Sequence, residues 1–99
     1  MNVNIFKQNI IDLITLSTEE LEKRKSGIHG ESTIQQLEEV IIPELNGLLD
    51  KIETDNLPPK GRRYLNSFAY AFKVWEWNMQ APTELYVRLS RLNQDYIEL

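Results

Sequence analysis

"IQQLEEVIIPELNGLLDKI", residues 34–52, is the stretch that decides the fold class. Ile34, Leu37, Ile41, Leu45, Leu48 and Ile52 recur at spacings of three, four, four, three and four. Only a helical period puts such a set on one face. Just upstream, Ser32-Thr33-Ile34-Gln35 carries capping-box residues that open the helix. Pro43 interrupts it, because proline removes one backbone donor and crowds the preceding turn; the expectation is a kink or break at Ile42. The stripe resumes in phase beyond the proline, which favours a kink.

The same period governs the flanking segments. Phe6, Ile10, Leu13 and Ile14 share a face in the first segment, with Asn4 as a candidate cap. Ser17-Thr18-Glu19-Glu20 reads as another capping box, so a kink or restart is expected near Leu16, with helix to about Lys25. The pairs Ile10-Ile11 and Ile14-Thr15 would also suit a strand, but no convincing partner strand exists elsewhere. Residues 25–32 read as a loop around Gly27 and Gly30. Asn56–Gly61 reads as a second loop, and Pro82-Thr83 as a turn and cap. Leu85, Leu89, Leu92, Tyr96 and Leu99 form the last stripe. The sequence therefore predicts one all-α domain over 1–99, a compact up-down bundle of four helices, or five if the first splits at Ser17 or the second at Pro43. The expected core is Phe6, Ile10, Leu37, Ile41, Leu48, Leu65, Phe68, Phe72, Leu85, Leu89 and Leu92. Emptying the Phe72 site is expected to cost roughly 3–5 kcal/mol.

Composition narrows the class. The 99 residues are 41% hydrophobic and 26% charged, too apolar for a disordered chain and enough for one modest core. No run approaches the ~18 apolar residues of a membrane span. The start, Met1-Asn2-Val3-Asn4, lacks the basic and apolar blocks of a signal peptide. With no cysteine, thiolate metal sites and disulfides are excluded. The expectation is a soluble, cytoplasmic protein without membrane association. The net charge of −4 is unevenly spread: seven acids and one base lie between Glu31 and Asp55, then four bases and no acid between Lys60 and Lys73. Such segregation bears on association.

Residues 62–78, "RRYLNSFAYAFKVWEWN", hold six of the nine aromatic rings, three cations and one acid. Read as a helix at 100° per residue, Tyr64, Leu65, Phe68, Ala69, Ala71, Phe72 and Trp75 share one arc. Tyr70, Val74 and Trp77 fall opposite, beside Arg63, Lys73, Asn66 and Ser67. The first arc is expected in the core. The second has three readings: burial on both sides of a central helix, a docking patch for a protein, or a stacking platform for nucleic acid. Against the last, the basic track Arg62, Arg63 and Lys73 is short and the chain is acidic overall. On the preceding helix, Glu39, Asp50 and Glu53 gather away from the apolar stripe, with Asn46 between them. They form either a solvated face or a decoy for a basic cleft such as that of a nuclease. The expected partner-binding residues are thus Glu39, Asp50, Glu53, Arg63, Tyr70, Lys73 and Trp77.

Nothing points to catalysis. His29, the only histidine, sits in a glycine-flanked loop without a metal-ligand pattern. Glu38 and Glu39 diverge by about 100° on a helix and cannot form a dyad. Neither a glycine-rich phosphate loop nor a nucleophile elbow is found. No cofactor or metal is expected.

In size, helical content, acidity and lack of cysteine, and in its C-terminal "GRRYLNSFAYAFKVWEWN" and "PTELYVRLSRLNQDYIEL", the chain resembles the small helical immunity proteins that bacteria encode beside polymorphic or contact-dependent toxins. The resemblance implies a non-catalytic cytosolic protein that binds and blocks one cognate toxin, with a nuclease as one candidate. It implies no particular site residues.

Overall fold

In the computed structural model, which describes residues 2–99, the apolar stripes become three long helices around a common core, with a fourth, short helix on one side. The helices are α1 (Val3–Lys25), α2 (residues 34–53), α3 (Asn66–Lys73) and α4 (Glu84–Glu98), and a single 3-10 turn spans Lys60–Arg62. No strand occurs among the described residues.

α1 starts at Val3 because Asn2, rather than Asn4, caps it: its Oδ1 accepts from the Asn4 and Ile5 amides. Phe6, Ile10, Leu13, Ser17 and Leu21 form its buried stripe. The helix runs without interruption through Ser17, so the expected restart does not occur. Ser17 faces the core, fully buried, and its hydroxyl has no hydrogen-bond partner among the described residues. Packing of the stripe overrides the local capping signal. α1 ends in a Schellman turn, with Gly27 at φ 89° and the Ile28 amide bonded to the Lys23 carbonyl.

The following loop is locked by Arg24, whose guanidinium donates to the Ser32 carbonyl, the Ser32 hydroxyl and Glu20. Gly30 lies so close to that guanidinium that a Cβ would collide with it. The capping box is one residue later than the sequence reading placed it. The Thr33 hydroxyl accepts from the Gln36 amide and the Gln36 side chain accepts from the Thr33 amide.

α2 contains no break at Pro43. After an α-helical first turn, Ile34–Gln36, the chain widens into a π-helical segment, Leu37–Ile41, before the α-helix Ile42–Glu53. The Ile42 amide bonds back five residues to the Leu37 carbonyl. Widening the turn accommodates a residue that cannot donate and whose ring would crowd the carbonyl four residues earlier. Leu37, Ile41, Leu45 and Leu48 are buried, so the stripe survives.

α1 is the central helix, packed against both α2 and α4. Lys7 pairs with Glu53 and Lys25 with Glu38, so α1 and α2 are antiparallel. Phe6 stacks on Tyr96 at 5.7 Å while Leu13 faces Arg88 and Leu92, so α4 is antiparallel to α1 as well. α3 packs on α4 and runs against it, from Asn93 near Leu65 to Tyr86 near Phe68. The four-helix reading holds, with α3 only eight residues long.

Nine of the eleven expected core residues are buried. Phe68 is only half-buried, and Phe72 is 44% exposed. Leu13, Leu21, Leu45, Ala71, Trp77, Tyr86 and Tyr96 complete the core. The misplacement of Phe72 comes from the orientation of α3.

Candidate functional site

The aromatic segment is not one helix over residues 62–78. Arg62 closes the 3-10 turn, residues 63–65 are non-helical, α3 occupies Asn66–Lys73, and the chain leaves the helix at Val74. Leu65, the residue at the N-cap of α3, supplies no side-chain cap. The cap comes from α2. Glu44 accepts from the Asn66 amide at 2.7 Å, the Ser67 amide at 2.7 Å and the Ser67 hydroxyl at 2.6 Å. Asn93 on α4 accepts from the Leu65 amide at 2.7 Å.

These ties turn the small residues inward. Ser67 and Ala71, one turn apart, are fully buried and let α3 approach the bundle closely. The buried direction is rotated about 90° from the centre of the arc expected from hydrophobicity, at 100° per residue. The larger rings consequently splay to either side. Phe68 and Phe72 lie on one flank, and Tyr70, followed by Trp75, on the other.

Beyond α3 the chain reverses. Trp75 donates its amide to the Tyr70 carbonyl and Trp77 to that of Ala71, with Glu76 between them in the left-handed region at φ 53°. The Asn78 amide is then fixed by Glu31 at 2.7 Å, and Asn78 itself accepts from the amides of Gln80 and Ala81. Thr83 caps α4 as the sequence reading placed it, accepting from the Tyr86 amide.

This reversal carries Trp77 into the core, where it is 4% exposed. It meets Tyr86 edge-on at 5.8 Å and Trp75 at 5.4 Å. Tyr70–Trp75 on one side and Tyr86–Phe68–Phe72 on the other extend the series to six rings with neighbouring centroids 5.4–6.3 Å apart. Trp77 is therefore a packing residue and not the exposed anchor expected from a continuous helix. Burial, and secondarily the Glu31 carboxylate, push the Tyr86 phenol above its ordinary value.

The exposed apolar surface lies elsewhere on the same segment. Two open grooves flank the Phe68–Phe72 pair. One, of about 320 Å³, is walled by Phe68, Phe72, Met79, Pro82 and Val87, with Arg91 at its edge. The other, of about 290 Å³, is walled by Tyr64, Leu65, Phe68, Ala69 and Phe72, with Lys73 at its edge. Phe72 stands between them as a ridge. None of Met79, Val87 and Arg91 was singled out by the sequence reading, and no local signal could have done so, because the shelf exists only once α3 has turned its small residues inward.

The remaining sequence-selected residues are scattered. Tyr70 and Lys73 are exposed on α3. Arg63 is half-buried and folds back, its Nε donating to the Pro58 carbonyl at 2.8 Å. Glu39, Asp50 and Glu53 are exposed along α2. They stretch over about 21 Å at 1.5 Å per residue, and Glu53 lies 3.9 Å from Lys7. They make a ridge on a different element, and nothing joins them to the aromatic shelf. His29 is exposed in the loop after α1 and lines neither groove.

Charge is also divided. Lys7, Lys23, Arg24, Lys25 and Arg88 have carboxylate partners within 4.0 Å. Among the described residues the other six cations, Lys51, Lys60, Arg62, Arg63, Lys73 and Arg91, have none. No helix among the described residues is long and apolar enough to cross a membrane.

No protein-family model matches this chain, and neither a characterised protein nor a solved structure shows significant similarity to it.

Proposed function

We propose that this chain is a non-catalytic protein-binding module that acts as an immunity protein, binding and neutralising a cognate toxin. One observation carries the binding reading. Tyr64, Tyr70, Phe72, Val74 and Met79 are large apolar residues left exposed on one short segment, and that segment is tied down at both ends by Glu44, Asn93 and Glu31. Single exposed apolar residues are ordinary, whereas Tyr64, Phe72 and Met79 gather around the two grooves on a fixed support, as residues of an interface do. Aromatic and cationic side chains are also the types that concentrate binding energy. The toxin as partner follows from the resemblance of residues 61–78 and 82–99 to immunity proteins.

The test is co-expression with the product of the adjacent gene. A stable one-to-one complex on size exclusion, with rescue of growth, is the expected result. A neighbouring product that is harmless and fails to copurify removes the immunity reading.

A second reading is nucleic-acid binding through Arg62, Arg63 and Lys73, favoured by the concentration of unpaired cations around α3. Trp77 is buried and cannot stack on a base, which leaves Tyr70 for that role. This reading requires a gel shift with mixed RNA and DNA at low salt that weakens steeply as salt is added.

A further inference from the structure

We infer that the docking surface is the Phe68–Phe72 shelf and that its occupant is an acidic, apolar segment of the partner protein. The inference rests on the protein-binding reading above and adds the chemistry of what is bound.

Shape is the first ground. The grooves on either side of Phe72 are open and mostly apolar-walled, and each is the size of one or two large side chains. A partner that places one apolar side chain in each groove would bury the 44% of Phe72 now open to water. Successive apolar side chains on one face of a helix or strand have this straddling arrangement. A nucleic acid would need exposed ring faces along a continuous cationic track, and here Phe72 presents a ridge between two clefts.

Charge is the second ground. Each groove has one cation at its rim, Arg91 beside the first and Lys73 beside the second. Neither has a carboxylate within 4.0 Å among the described residues, whereas Arg88, one turn from Arg91, is already held by Glu84 at 3.0 Å. Arg91 also borders a cleft that holds Asp12 and Asp95, but neither carboxylate is within 4.0 Å of it. Both cations can therefore meet carboxylates from outside, in a chain whose overall charge of −4 would otherwise repel an acidic partner. Complementary rim charges set encounter rate and reject wrong partners, while the apolar centre holds the complex.

The acidic ridge of α2 has no comparable support. Glu39, Asp50 and Glu53 line neither groove, and Glu53 already lies 3.9 Å from Lys7.

The experiment is a nuclear magnetic resonance titration of the intact chain with three probes. They are a helical Leu/Glu peptide with leucines at helical spacing, the same peptide with lysines replacing the glutamates, and oligothymidylate. The expected result is that the Leu/Glu peptide shifts the resonances of Phe68, Phe72, Val87 and Arg91, and that the Leu/Lys peptide binds at least about tenfold more weakly. Lys73→Glu with Arg91→Glu should invert that preference while leaving the helical circular dichroism unchanged. Phe72→Ala should weaken both peptides. Shifts confined to α2, equal binding of the two peptides, tighter binding of oligothymidylate, or no shift from the Leu/Glu peptide would overturn the assignment. Failure here is separable from failure of the broader reading. A toxin complex broken by Glu39→Lys with Glu53→Lys, yet indifferent to Phe72→Ala, keeps the protein-binding function and discards the shelf. Peptide binding at the shelf without any copurifying partner does the reverse.

Discussion

Replacing Glu44 by alanine should destabilise the protein by about 2–4 kcal/mol and should do so first at α3. The carboxylate accepts three hydrogen bonds of 2.6–2.7 Å from the first turn of a helix that has no cap of its own. Loss of an ordinary N-cap costs about 1 kcal/mol, and a hydrogen bond to a charged group contributes about 1.5–3 kcal/mol net. The three bonds share one acceptor group and do not add in full. The loss is aggravated because Ser67 is fully buried, so its amide and hydroxyl are stranded away from water. Glu44→Gln retains one acceptor oxygen and the shape of the side chain, and should lose about half as much. Urea unfolding gives the totals, while amide hydrogen exchange across residues 66–73 locates them. In Glu44→Ala, exchange there should accelerate before that of α1 or α4. A double-mutant cycle with Ser67→Ala should show coupling of about 1 kcal/mol or more, since the two residues share a bond. A loss below about 1 kcal/mol for Glu44→Ala, with α3 protection unchanged, would refute the view that these ties hold the aromatic segment.

Three further expectations follow from burial. Phe72→Ala should cost less than about 1 kcal/mol in unfolding assays, far below the 3–5 kcal/mol of a core ring, whereas Trp77→Ala should reach that larger range; the reverse order would mean α3 is turned the other way. Ser17→Ala should raise stability by about 1 kcal/mol, because it removes a buried hydroxyl without a partner and improves helix propensity, and an unchanged or lower melting temperature would contradict that account. Tyr86 is raised above its ordinary value of 10.0 by burial and then by Glu31, and Tyr96 is raised by burial, with Arg63 opposing and Glu44 adding. Their neutral forms therefore stabilise the fold up to about pH 10, and this contribution is lost as pH rises through the folded-state values, the unfolded chain giving up its protons first. Alkaline unfolding should accordingly be delayed in Tyr86→Phe, and an unaltered profile would argue against it.

The long helices were legible because their apolar residues repeat at helical spacing and meet other long stripes. Leu37, Ile41, Leu45 and Leu48 on α2, and Leu85, Leu89, Leu92 and Tyr96 on α4, are buried as the period dictates. The cap at Thr83 was legible for the same reason, being local. α3 was not. Its orientation is set by Glu44, 22 residues before the hydrogen-bonded Asn66, and by Asn93, 28 residues after Leu65. No local pattern encodes those contacts, and an eight-residue helix has too little apolar stripe to overrule them. The hydrophobic arc pointed to Phe72, while the close approach allowed by Ser67 and Ala71 decided otherwise. Trp77 escaped in the same way, because the turn through Glu76 replaced the helical continuation that the ring spacing suggested. The acidic residues of α2 were correctly read as surface, and where the aromatic residues would emerge depended on that unreadable rotation.

The manner in which residues 65–78 are fastened bears on how this protein can diversify. Leu65, Asn66 and Asn78 engage the supporting side chains only through their amides, and Ser67 through its amide and hydroxyl. Every amino acid except proline offers an amide. Apart from Ser67 and the buried Leu65, Ala71 and Trp77, the scaffold therefore grips a main chain and is largely indifferent to the side chains it holds out. Positions 70, 72 and 74 can be exchanged without loosening a single attachment, and 68 at the cost of one partly buried contact. A lineage, or a designer, can rewrite the displayed residues to follow a changing partner while the three supporting residues Glu31, Glu44 and Asn93 stay as they are.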